Sequence, residues 1–283
     1  MIRERDWLGV GLIAMGAGLA VNSLLGPFFA GIMVYPVTAT MLNQTLGLDA
    51  FSLLVVAPLG IAVGILALRD HPAAPVLALG PAFYTAYMLI QYVVGPDYVH
   101  YPVALSLHLS LFILGWALGA AAWNRIRPED LARDQPRRDP ILGAILLVLA
   151  GFVLLRYLPA LVGSFSRAAL PAESRGDPAM FWTILLLDLG VVVPVAAAAG
   201  INLLAGGSDC ARKAGYALVG WFALVGSSVA AMGIVMAMRD DPYASVRMMI
   251  VFAAMAVLAT AAAVWVYRPL LGRGPEDRRV SFS

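Results

Sequence analysis

Apolar residues run in long, nearly unbroken stretches along this chain, and polar residues gather in the short gaps between them. Runs near 7–26, 51–69, 75–95, 102–123, 140–158, 179–204, 214–238 and 246–267 are long enough to cross a bilayer core of about 30 Å, which takes about 20 helical residues. Inside lipid the backbone finds no water, so each run must satisfy its own N–H and C=O groups as a helix. The pattern predicts an all-α, polytopic integral membrane bundle of about eight transmembrane helices. The segment 27–50 fits less well. It is fairly apolar but holds Pro27, Pro36 and the polar run Asn43-Gln44-Thr45. It reads as an interfacial or re-entrant piece, or as the kinked end of the first helix. Arg3 and Arg5 before the first run resemble the start of a signal peptide. The run is long and no clear cleavage site follows it, so an uncleaved helix is expected.

Composition supports this class. Hydrophobic residues make up 61% of the chain and charged residues 13%, against about a quarter charged in soluble domains. Net charge is only +2, too little to favour nucleic acid as a partner. The expected partner is the lipid bilayer, with a small molecule or ion as ligand; a homo-oligomer is possible but not indicated. Cys210 is the only cysteine, so no intrachain disulfide and no cysteine metal cluster can form.

The basic residues orient the bundle. With eight spans and both termini on one side, that side holds fourteen of the 19 Lys and Arg residues, from Arg3 and Arg5 through Arg69, Arg125 to Arg138, Arg212 and Lys213 to Arg279. The other side holds Arg156, Arg167, Arg175, Arg239 and Arg247. Positive loops stay in the cytoplasm, which places both termini there. Arginine used almost to the exclusion of lysine suggests a GC-rich bacterial genome, hence a cytoplasmic membrane. Trp7, Trp123 and Trp265 fall at inner ends, and Tyr92, Tyr157 and Trp182 at outer ends, as an aromatic belt requires. Trp116 and Trp221 lie deeper and read as packing residues.

The charged loop 124–139 divides the chain into a first four-helix half, 1–123, and a second, 140–267, followed by a tail, 268–283, expected to be disordered. Phe51 precedes Leu59-Gly60-Ile61 as Phe181 precedes Leu189-Gly190-Val191. Four spans per half would make the halves a 4+4 parallel repeat about an axis along the membrane normal. Gly60 with Gly64 and Gly115 with Gly119 are small-xxx-small pairs, read as close helix packing within the bundle.

An ionisable residue at membrane depth is costly and is a functional candidate by default. Asp188 is the strongest. It lies about ten residues into the sixth span, or about 15 Å at 1.5 Å per residue, near the midplane. Tyr84, Tyr87 and Gln91 share one stripe of the third span, and the two tyrosines should reach that depth. Asn22, His108 and Arg156 are the other polar residues of the outer half. Together these seven suggest an outward-facing polar cavity around Asp188, with Arg156 or Arg247 guiding anionic groups at its mouth. Arg156 reads more naturally as snorkelling to the headgroups. Pro194, six residues after Asp188, is the nearest thing to a broken-helix site. The connection 159–178 is long enough to serve as a lid, though a plain surface loop is preferred.

No motif names a reaction. No lysine lies inside a span, no H-E-x-x-H or G-x-S-x-G occurs, and a second intramembrane histidine for haem is lacking. No metal site and no cofactor are expected. The reading favoured is a transporter-like or small-ligand-binding bundle. The alternatives are a membrane enzyme acting on a lipid or isoprenoid, with Asp188 and His108 as acid and base, and a non-catalytic assembly or sensor subunit.

Overall fold

The computed structural model describes residues 6–35, 37–94, 102–127, 131, 138–165, 170–171 and 174–272. The C-terminal tail from 273, most of the loop 128–137, and Arg167 and Glu173 of the suggested lid lie outside the described residues. The fold is an all-helical bundle, and eight helices are long and apolar enough to cross a membrane. They are α1 (Asp6–Leu25), α2 (Ala39–Leu68), α3 (Ala74–Val94), α4 (Pro102–Arg125), α5 (Arg138–Phe165), α6 (Pro178–Leu204), α7 (Asp209–Met238) and α8 (Val246–Leu271).

One boundary differs from the sequence expectation. Residues 39–51 are not re-entrant; they form the N-terminal part of α2, which runs on to Leu68. Thr38 starts the helix, its hydroxyl accepting the Met41 N–H at 3.3 Å. The polar residues that disguised this stretch are buried by tertiary contacts. Asn43 donates to Asp241 at 2.7 Å, and Thr45 turns back onto the Met41 carbonyl at 2.9 Å. Residues 26–35 fold back over the same end of the bundle, burying Met33 and Tyr35.

Two of the long helices carry a π-helical turn, Ser52–Val56 in α2 and Asp188–Val192 in α6. In each, the N–H five residues on reaches the first carbonyl of the turn, from Ala57 to Ser52 and from Val193 to Asp188. Pro58 and Pro194 follow immediately after Ala57 and Val193. A proline inside a helix has no N–H for the residue four back, and its ring crowds that carbonyl. Widening the preceding turn relieves the crowding, and such turns recur at functional sites. Ser52, Pro58 and Gly64 therefore match Asp188, Pro194 and Gly200 at one constant offset. This register lies six residues from the one that aligns Leu59-Gly60-Ile61 with Leu189-Gly190-Val191.

Packing follows the same correspondence. Beyond its π turn α2 packs on α1, as α6 packs on α5; α3 pairs with α4, as α7 pairs with α8. Before their π turns the two helices cross over, α2 onto α7 and α6 onto α3. At the centre α3 meets α7, where the Cβ that Gly80 lacks would stand 3.5 Å from the Gly220 backbone. Helix α3 is the most enclosed of the eight, and this decides which side chains face the interior. At the arginine-rich end, Arg125, Arg138 and Lys213 lie over the rings of Trp7, Trp265 and Trp123 at 5.7, 5.1 and 5.8 Å. Trp221 is buried against Tyr87, but Trp116 is half exposed and packs only at the edges of Phe83 and Phe112.

Candidate functional site

The buried polar side chains gather in the half of the bundle away from the arginine-rich end, as the sequence suggested. Two clusters among them are served by tyrosines of α3, in place of the single one expected.

The first cluster centres on Asp188, which opens the π turn of α6 and is 5% exposed. Tyr87 of α3 donates to Oδ1 at 2.6 Å, and Tyr157 of α5 donates to Oδ2 at 2.7 Å. Both lengths are those of well-formed O–H···O bonds. Asp188 thus joins a helix of the first half to two of the second. Tyr87 is braced edge-on by Trp221, with ring centroids 5.0 Å apart. The Arg156 guanidinium does not pair with Asp188. It lies 5.2 Å from the ring centres of both Tyr157 and Phe252 and remains exposed, as a snorkelling residue does.

The second cluster holds Asn22, His108 and three residues the sequence did not single out: Asp49, Tyr92 and Tyr35. His108 is fully buried, with Nε2 2.7 Å from Asn22 Oδ1 and 3.4 Å from the Tyr35 hydroxyl. The Tyr92 ring packs against both, its centroid 5.0 Å from His108 and 5.5 Å from Tyr35. Tyr92 donates to Asp49 Oδ1 at 2.7 Å. Asp49 is 1% exposed, and its Oδ2 has no hydrogen-bond partner among the described residues.

Tyr84 and Gln91 belong to neither cluster directly. Tyr84 is fully buried and meets Ser52, at the start of the other π turn, at 3.3 Å rather than Asp188. Gln91 contacts Met88 Sδ at 3.4 Å and lines a small cavity with Tyr35, Gln44, Thr45, Tyr92 and Met232. This cavity measures about 30 Å³, room for a water or two, and lies where α2, α3, α6 and α7 converge. Asn202 faces the opposite end, its Oδ1 accepting the Ser208 N–H at 2.8 Å.

Asp241 is the third buried carboxylate, at 6% exposure. It accepts from Thr40, Asn43 and the Tyr243 N–H, and so ties the start of α2 to the α7–α8 turn. Thr38 and Asp177 make a matching link to the start of α6. Among the described residues no group of three or more His, Cys, Asp and Glu side chains is placed to hold a metal ion.

Asp49 is the one ionisable residue of α2, a signal of the same kind as Asp188. Tyr92 and Tyr157 were less accessible to sequence reasoning, because a tyrosine near a span end serves a belt or a buried carboxylate equally well. No family model, no curated protein and no solved structure matches the chain.

Proposed function

We propose that this multi-pass membrane protein is a transporter-like or small-ligand-binding bundle of a bacterial cytoplasmic membrane, built from two four-helix halves. The observation that carries the reading is the pair of carboxylates, Asp49 and Asp188, at or within one turn of the two π turns. Both are gripped by tyrosines of the shared helix α3. Intramembrane carboxylates on interrupted helices are the usual material of ion and proton sites. The small cavity at the seam, capped by Tyr35, marks where the halves would part to form an outward-facing path. The exchanged packing of α2 and α6 suits a two-fold relation between the halves. The charged segment between α4 and α5 is then the connector between them, and the residues beyond α8 a cytoplasmic extension.

A scaffold role is the second reading, and one observation favours it. Asp188 accepts two hydroxyls and so has the bonding of a structural anchor. No observation favours a lipid-modifying enzyme. Asp188 is bonded by Tyr87 and Tyr157, whereas His108 lies against Asn22 and Tyr35.

Currents from proteoliposomes on a solid-supported membrane test the proposal. A jump in pH or in NaCl at the outer face is expected to give transient charge movement that protein-free vesicles lack. Asp188→Asn is expected to lower it at least tenfold while remaining folded. Currents indistinguishable from protein-free vesicles under both jumps would remove the transport reading and leave the scaffold.

The orientation has its own test, because Cys210 is exposed at the arginine-rich end of α7. A membrane-impermeant maleimide is expected to label Cys210 only after cells are permeabilised. In a Cys210→Ser background, Tyr243→Cys is expected to label in intact cells, since Tyr243 is exposed in the turn between α7 and α8. The reverse pattern inverts the topology.

A further inference from the structure

We propose that Asp49 and the C-terminal turn of α1 form a binding site for one small monovalent cation, sodium first among them. The starting point is Asp49 Oδ2, which is buried in the bundle with no hydrogen-bond donor among the described residues. Its sister atom Oδ1 is held by Tyr92, so the carboxylate cannot turn to water without breaking that bond. A buried acceptor left unmade is costly, and a buried unpaired charge far more so.

What faces Oδ2 makes the site. The Cβ that Gly26 lacks would stand 2.9 Å from Asp49 Oδ2, 3.1 Å from the Asn22 carbonyl oxygen and 3.7 Å from the Ser23 carbonyl oxygen. The unpartnered Asp49 oxygen therefore lies against the last turn of α1 at Gly26, beside the final carbonyls of that helix. The Ser23 carbonyl lacks its helical donor, since the residue four positions on is Pro27, which has no N–H. None of the backbone bonds of the turn ends on it. The Ser23 hydroxyl, in the same turn, is fully buried and also lacks a partner among the described residues. The Asn22 carbonyl accepts only the Gly26 N–H at 2.9 Å among these bonds and keeps a second lone pair.

Electrostatics sets the charge of the occupant. The C-terminus of a helix is its negative end, and a carboxylate placed against it is repelled. Lone pairs held together in this way are relieved by a positive charge between them, and a bound cation supplies it where the carboxyl carries no proton. One carboxylate balances one unit of charge. A divalent ion would leave an excess positive charge in an apolar bundle, and among the described residues no cluster of acids is placed to take it up. Hard oxygen donors drawn from carbonyls, a hydroxyl and a carboxylate suit an alkali cation and offer nothing soft for a transition metal. Helix C-termini and carboxylates in broken spans hold coupling cations in this way. The site deepens the transporter-like reading, on which its purpose rests, although its occupancy is measured without transport.

The test is sodium binding to the purified protein, by retention of radioactive sodium and by thermal melting in NaCl against choline chloride at equal ionic strength. Sodium is expected to bind one per chain and to raise the melting temperature by several degrees. Asp49→Asn and Gly26→Ala, the latter filling the space with a methyl group, are each expected to abolish both responses. Ser23→Ala is expected to weaken sodium binding several-fold, and Gly151→Ala, where nothing lies within 4 Å of the added methyl group, to leave it intact. Equal melting in both salts with no retained sodium overturns the proposal and assigns the position to a protonated carboxyl. A sodium response that survives Asp49→Asn overturns it as well. Sodium bound by a protein that carries no current confirms the site and removes the transporter reading instead.

Discussion

Gly64→Val is expected to yield no stably folded bundle. The Cβ that Gly64 lacks would stand 2.7 Å from the Gly9 carbonyl oxygen, and the one Gly9 lacks would stand 2.8 Å from the Gly64 carbonyl oxygen. Two turns along, the position at Gly16 lies 2.6 Å from the Ala57 carbonyl oxygen. In each case the obstacle is backbone, which has no rotamer to change. The helices must separate along the whole α1–α2 contact, where Leu8, Leu12, Met15 and Leu19 are buried. Lipid is as apolar as leucine, so lost packing is not offset by any gain in hydrophobic burial. Overpacking costs about 1–3 kcal/mol where side chains can yield, and backbone against backbone belongs at or beyond the upper end. Gly200→Val is expected to behave alike, because Gly200 and Gly143 repeat the arrangement between α5 and α6 at 2.7 and 2.9 Å. Gly151→Ala is the control. Nothing lies within 4 Å of its missing Cβ, and replacing a helical glycine by alanine is worth up to about 1 kcal/mol. Yield of monodisperse protein and melting temperature in detergent separate the two classes. A Gly64→Val protein that melts with the parent would contradict backbone contact between α1 and α2 at this glycine.

These glycines also show what the sequence discloses and what it withholds. Apolar run length places seven of the eight spans well, because lipid imposes one rule on all of them. It misplaces the start of α2, because Asn43 and Thr40 count as polar in the chain yet are satisfied by Asp241, about two hundred positions away. Asp49 is lost to the same error. Asp188 and its neighbour Tyr87 are legible, since an acid at the midplane must find a donor and α3 offers one at that depth. Tyr157 is not, because its hydroxyl chemistry is the same whether it faces headgroups or Asp188. Helical-wheel angles fail beyond each π turn, where the inserted residue rotates everything downstream. Asn202, fourteen residues past Asp188, lies in the last turn of α6 and closes the α6–α7 turn.

Asp188→Leu is expected to destabilise the bundle by about 2–4 kcal/mol, and the reason is the tyrosines it abandons rather than the charge it removes. Tyr157 is 3% exposed, so its hydroxyl has no water to turn to, and Tyr87 is partly buried with its ring edge-on to Trp221. Each orphaned donor costs about 1–3 kcal/mol. Intramembrane hydrogen bonds measured one at a time average about 0.6 kcal/mol, which holds the sum below the upper limit of two such losses. Asp188→Asn keeps one acceptor oxygen and is expected to lose less than half as much. The decisive variant is the triple replacement Asp188→Leu, Tyr87→Phe and Tyr157→Phe. Removing both partners of a buried bond leaves nothing unsatisfied, so most of the lost stability is expected to return. Melting temperatures of the four proteins check the series. A single Asp188→Leu protein as stable as the parent would show that the two tyrosines do not depend on this carboxylate. The triple variant then separates anchor from site, because it restores the fold without restoring the acid. If its ion-driven currents match the parent, Asp188 only fastens α3 and α5 to α6. If the fold recovers and the currents do not, the carboxylate itself takes part in the movement of charge.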